Sequence, residues 1–205
     1  MRFTGTWFCW NFLLIPVLLL ARPAAAAAPA EIDKIISYYK ELKSFESGFR
    51  QTKKLETVGM ELKGSGKLRV HGPAVEWQVL EPAPLLVRIS LEEISLTEPS
   101  AAGTASPKTQ TFSLKEGVAG NRIAASVRPF LELFSGNPAA LKKQFLVTTQ
   151  DGGFALTPRD GDLPVEKLLV FPDAGGTYIA RVQILEKSGD RITYEFAKPT
   201  PLVSP

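Results

Sequence analysis

The sequence predicts a mainly β protein: one long antiparallel sheet that curls, with helices laid over its concave face. Three observations carry this. Apolar and polar residues alternate with period two in segment after segment, roughly nine or ten in all, separated by short Gly- and Asp-bearing corners. Helical periodicity occurs in only two longer stretches, one near the front of the mature chain and one in the middle. No strand–helix–strand alternation is present, so a parallel sheet has no support.

The chain has 205 residues and opens with a segment that is set aside before the fold is read. Arg2 gives a positive start, Phe8 to Leu20 is almost wholly apolar, and Ala24 to Ala28 offers small-residue cleavage sites. This is the pattern of a cleaved secretory signal peptide, residues 1–27, with the cut between Ala26 and Ala28. A membrane anchor fits less well, because the apolar run falls short of the ~20 residues a span needs and Pro16 interrupts it. Residues 28–205 then form a single exported domain.

Losing Arg2 and Arg22 takes 24 basic residues to 22 against 21 acidic ones. So small an excess, without a dense basic block, argues against nucleic-acid binding. The single cysteine, Cys9, leaves with the leader and follows no small-residue box that would mark it for lipidation. The mature chain therefore carries no disulfide and no cysteine-based metal site.

The first element is an amphipathic helix over Glu31 to Phe45. Ile32, Ile35, Ile36, Tyr39, Leu42 and Phe45 recur at three- and four-residue steps, and Glu31, Asp33, Lys40 and Lys43 suit the helix dipole. Phe49 to Pro82 reads as three successive strands with corners at Gly59, at Gly64 and Gly66, and at Gly72-Pro73. Leu85 to Leu91 alternates as a further strand. Thr97 to Thr109, rich in Ala, Ser, Gly and Pro, reads as a mobile loop within the domain, and Gln110 to Lys115 as a short strand.

Arg122 to Phe134 is the second helical stretch. Its apolar stripe contains Pro129, which removes a backbone donor and clashes with the preceding turn, so the helix is kinked or broken. Gly136-Asn137-Pro138 ends it, and a short helix follows over Ala139 to Lys143. Phe145 to Thr149 and Phe154 to Thr157 flank Asp151-Gly152-Gly153, a hairpin signal. Leu168 to Phe171, Tyr178 to Leu185 and Ile192 to Phe196 complete the strands.

Catalytic chemistry finds no constellation. The one histidine, His71, stands at a Gly-Pro corner and reads as a turn residue. Asp160-Gly161-Asp162 and Asp173-Ala174-Gly175-Gly176 lack the further carboxylates that calcium requires, and they read as turns. No catalytic, cofactor or metal residue is assigned, and no enzyme activity is expected.

Phe49-Arg50-Gln51-Thr52, Gly66-Lys67-Leu68, Trp77 and Glu81-Pro82 resemble, in that order, the opening of the outer-membrane lipoprotein carrier family LolA. The later Phe145-Leu146-Val147 and Phe154-Ala155-Leu156-Thr157-Pro158 are similar to its second half. The chain reads as a divergent branch. Where the family has an Arg-Pro pair, here stands His71-Gly72-Pro73, and the family's Asp-Gly hairpin and aromatic strand give way to the Thr97 to Thr109 loop.

The resemblance implies an incomplete, unclosed β-barrel, capped by helices, whose concave face takes up the acyl chains of a lipoprotein or another lipid. The lining positions expected on that basis are Leu68, Val70, Val75, Trp77, Val79, Val87, Ile89, Phe145, Val147, Phe154, Leu156, Val182, Ile184, Tyr194 and Phe196, with Ile192 on the same face. Ile123, Val127, Pro129, Phe130 and Phe134 would form the lid. Each enclosed methylene contributes ~0.8 kcal/mol, so one sixteen-carbon chain gives roughly 10 kcal/mol gross. Three fully enclosed chains would pass the ~20 kcal/mol ceiling of reversible binding, so partial enclosure is expected. The implied partners are an inner-membrane release complex and an outer-membrane acceptor, with the carrier a monomer. The same fold family includes lipid-sensing regulators of the RseB kind and LolB-like acceptors, which stand as the alternatives.

Overall fold

The computed structural model describes residues 27–90, 92–99, 106–113, 133–134, 138–159, 161 and 163–202. Residues 1–26 of the expected leader lie outside them, as do Ile123, Val127, Pro129 and Phe130.

Helix α1 spans Ala27–Leu42, and β1 (Ser44–Leu55) follows almost at once. The helix is shorter at its C-terminal end than its periodicity predicts: Lys43 turns the chain at a φ of 57°, and Phe45 belongs to β1. Glu31 and Asp33 likewise fall outside the first turn, which holds no acidic residue. What the stripe does is as expected. Ile32, Ile35, Ile36 and Tyr39 are almost completely buried, and the helix packs against the β7–β8 side of the sheet defined below.

Strands β2 (Met60–His71), β3 (Ala74–Glu81), β4 (Leu85–Ile89), β5 (Glu93–Glu98) and β6 (Lys108–Ser113) run as an antiparallel meander. Helix α2 (Pro138–Gln144) leads into β7 (Phe145–Gln150), β8 (Gly153–Pro158), β9 (Val165–Pro172), β10 (Ile179–Glu186) and β11 (Arg191–Phe196). A two-residue β12 (Thr200–Pro201) pairs with the start of β1.

The result is one 12-stranded antiparallel sheet in the order β6-β5-β4-β3-β2-β1-β11-β10-β9-β8-β7. The join in the middle is β1 with β11, where Phe49 stands opposite Phe196 and Gln51 opposite Tyr194. Among the described residues β6 and β7 remain the two outer strands and do not pair with each other, so the barrel is not closed.

Two readings of the glycines and loops are corrected. Gly59 and Gly72 do occupy turns at positive φ, but Gly64 and Gly66 lie inside β2. A Cβ on Gly66 would stand 2.1 Å from the Gln78 carbonyl oxygen and 2.5 Å from the Phe49 ring, so the glycine is there to let the ring lie on the strand. The stretch read as a loop from Thr97 to Thr109 begins and ends in paired strand residues. Glu93–Glu98 is a strand, and Thr97 pairs with Thr109, their hydroxyls 3.0 Å apart.

The convex face carries a charge ladder across four strands. Glu46, Arg69, Glu76 and Arg88 stand directly opposite one another on β1 to β4. Arg69 donates to Glu46 at 2.6 Å and Arg88 to Glu76 at 2.7 Å, which fixes the register on the wet side.

Candidate functional site

The concave face is where the side chains expected as lining converge, and it divides in two by accessibility. On one side Leu68, Phe154, Leu156 and Val182 are 0 % exposed, and Val70, Val75, Ile89, Phe145 and Ile184 scarcely more. A side chain with no exposed surface borders no space that a water molecule could enter, so these nine positions pack against the protein's own atoms. Over Phe145, Phe154 and Leu156 the cover includes α1 and α2, which pack on the β7–β8 side of the sheet.

On the other side exposure rises. Trp77 and Phe196 reach 8 %, Val87 6 %, and Val79, Val147 and Tyr194 are half-buried. Leu85, Leu96 and Ile192, which also pack on the core from this face, are half-buried too. Of these, Leu85 and Leu96 were not among the expected lining, Leu96 because β5 itself was missed.

Aromatic rings hold this second half together. Trp77 lies 4.4 Å from Phe49, 5.0 Å edge-on from Tyr194 and 6.1 Å edge-on from Phe196, centroid to centroid. Phe196 meets Phe134 at 5.5 Å, and Phe134 meets Tyr39 of α1 edge-on at 5.2 Å. Phe134, the one described member of the expected lid, is thus buried between the first helix and the aromatic group. Such ring pairs add about 0.5–1.5 kcal/mol each beyond the area they bury.

Among the described residues, the fully buried polar groups are few and paired. Ser47, the only buried polar residue among those described, donates to the Ala197 carbonyl at 2.7 Å. The Tyr39 hydroxyl accepts the Ile179 N–H at 3.0 Å, and burial raises its pKa well above the ordinary phenol value. Burial, with the Glu186 carboxylate nearby, does the same for Tyr194. Both phenols stay neutral, as an apolar lining requires.

Beyond the rim the same face continues along the β1–β2 hairpin. Pairing of β2 with β3 ends at Ser65, and Val58, Met60 and Leu62 of the projecting part are 61, 54 and 46 % exposed.

The Asp173 turn is held by backbone donors. The Asp173 carboxylate accepts backbone N–H groups of Gly175, Thr177 and Tyr178 at 3.1, 2.6 and 2.9 Å. Partial burial pushes its pKa up, but these three bonds and Lys34 outweigh it, and the net shift is down. Asp160 and Asp162 lie outside the described residues. Among the described residues no three His, Cys, Asp or Glu side chains are grouped to hold an ion, and no helix is long and apolar enough to cross a membrane. His71 closes β2 opposite Ala74, exposed. A separate cleft of about 360 Å³ lies outside the concave face, between α1 and the β7–β8 and β9–β10 turns, and Lys34 reaches across there to the Gly175 carbonyl.

No family model matches the sequence, and no curated protein matches it. Solved structures are similar to it in fold, LolA superfamily proteins among them. One such protein, from Nitrosomonas europaea, aligns over 87 % of this chain and 94 % of its own at 11 % identity and a TM-score of 0.46. The Mycobacterium tuberculosis lipoprotein LppX aligns over 85 % of this chain and 96 % of its own, at 15 % identity and 0.42. A chain of the Pseudomonas aeruginosa MucA/MucB complex aligns over 86 % of this chain but 57 % of its own, at 14 % and 0.40. These likenesses concern the fold alone.

Proposed function

We propose that this protein is a non-catalytic carrier, exported to the periplasm of a Gram-negative envelope, that takes up acyl chains of lipoproteins or another lipid on its concave face. It would move them toward the outer membrane. The observation that carries the reading is the gradient of burial across one apolar face: closed around Leu68, Phe154 and Leu156, and more accessible at Val79, Tyr194 and Ile192, with Trp77 between them at 8 %. Hydrocarbon entering at the accessible side gains the burial of its own methylenes together with the remaining exposed surface of those side chains.

The lid assigned to Ile123–Phe134 belongs to the same proposal, with Phe134 as the anchor that keeps it against the rings of Tyr39 and Phe196. Release then requires Phe134 to leave the aromatic group, a loss modest enough for a carrier that must unload.

Native mass spectrometry of the protein recovered from the envelope, followed by extraction of co-purified lipid, tests this directly. Acylated lipid or an acylated peptide at close to one molecule per chain is expected. A protein that emerges empty and fails to take up acyl lipid from vesicles would overturn the proposal. Retention without transfer to acceptor membranes would replace the carrier with a sensor.

A further inference from the structure

Two residues on the concave face are out of keeping with its apolar character. The register places Gln51 opposite Tyr194 and Lys53 opposite Ile192, on the side of β1 that carries Phe49. Lys53 is half-buried, and its ammonium meets Glu186 of β10 at 3.5 Å, with side-chain exposures of 27 and 21 %. Gln51 is half-buried as well, and its amide has no hydrogen-bond partner among the described residues. An amide at partial exposure on an otherwise apolar face, with no partner among those residues, keeps both of its N–H donors available to a ligand. The group stands at the rim, one step along β1 from Phe49, whose ring packs on Trp77 of β3, and the exposed hairpin lies just beyond.

We propose that Gln51, with the Lys53–Glu186 pair, is a subsite for the uncharged ester or amide carbonyls at the head of an acyl lipid whose tail lies along Trp77 and Phe196. The inference rests on the carrier reading above and adds to it the chemistry of the head. Gln51 supplies two N–H donors, and Lys53 retains donors that Glu186 does not use. Because Glu186 already balances the ammonium, the subsite is neutral overall, and carbonyl oxygens suit it better than a phosphate, which would be left facing the carboxylate. Gly64, opposite Gln51 on β2, keeps a side chain out of the space beside it.

The test is competition. The exported protein is loaded with diphenylhexatriene, a hydrocarbon probe with no head, and the probe is displaced with dioleoylglycerol or with dioleoyl phosphatidic acid. In the wild type dioleoylglycerol displaces at lower concentration than phosphatidic acid. Gln51→Leu and the paired change Lys53→Met with Glu186→Leu hold the probe as well as the wild type does. Each nevertheless needs roughly five- to tenfold more dioleoylglycerol, the loss expected for a hydrogen bond or two. Gln51→Glu, which keeps the size and removes the donors, behaves as Gln51→Leu if the amide donates to the ligand. Unchanged displacement in all the variants, or a preference for phosphatidic acid, overturns the subsite while leaving the carrier reading intact. A wild-type protein that never takes up the probe overturns both.

Discussion

At the scale of single residues, the structure turns on what small and polar groups permit. Gly66 has no room for a Cβ, with a backbone carbonyl and the Phe49 ring both inside contact distance. Gly66→Ala should therefore cost about 3 kcal/mol, read as a lowered urea midpoint at unchanged slope. Gly59→Asn, at a turn where nothing lies within 4 Å and φ is +66°, should cost under about 1 kcal/mol, and equal costs would refute the packing argument. Mid-strand glycines and turn glycines look alike in a pattern, which is why Gly64 and Gly66 read as corners. The missing clue was Phe49 on the neighbouring strand, a ring that needs a bare strand beneath it.

Two carboxylates set the acid limb of stability. Hydrogen bonds from Arg69 and Lys67 lower the Glu46 pKa, and backbone donors lower that of Asp173 against the opposing effect of burial. Each folded pKa lies below its unfolded value, so the contribution is complete above the unfolded pKa of about 4 and is lost as pH falls through the folded value. Glu46→Gln and Asp173→Asn should each flatten the fall in melting temperature below about pH 4.5, and more so together. Parallel acid limbs in wild type and variants would contradict the assignment.

At the scale of elements, the first helix shows both what patterning reveals and where it stops. Its buried stripe was legible from spacing, yet Phe45 continued that spacing and only the backbone at Lys43 ends the helix. No glycine marks the place, so the usual C-terminal signal is absent. Strand β5 escaped notice because only Ile94 and Leu96 alternate in it, beside Glu92 and Glu93, and its identity as a strand comes from pairing on both sides. The helix is tied to the sheet by the Tyr39 hydroxyl, so Tyr39→Phe leaves the buried Ile179 N–H without its acceptor. A loss of about 1–2 kcal/mol is expected in chemical denaturation, and no loss would mean that the N–H finds another partner.

Over the whole molecule, the antiparallel meander and its curl follow from alternation and corner residues, and these were readable along nearly the entire chain. Whether the curled sheet is filled or hollow was not, because period-two patterning says which way a side chain points and nothing about what it meets. Here the answer is divided: the positions around Leu68, Phe154 and Val182 are packed, while those around Trp77 and Tyr194 keep accessible surface. Gln51 and Lys53 were likewise invisible as a group until β1 was seen to pair with β11, nearly the full length of the mature chain away.

Trp77 makes the central claim measurable. Trp7 and Trp10 belong to the expected leader, so in the exported chain Trp77 is the sole tryptophan, and it borders the accessible half of the concave face. Titration with a fatty acid brominated at mid-chain should quench its fluorescence saturably at about one site, because bromine quenches on near contact. Acyl chains that bind with no loss of Trp77 emission at saturation would place them elsewhere and contradict the account.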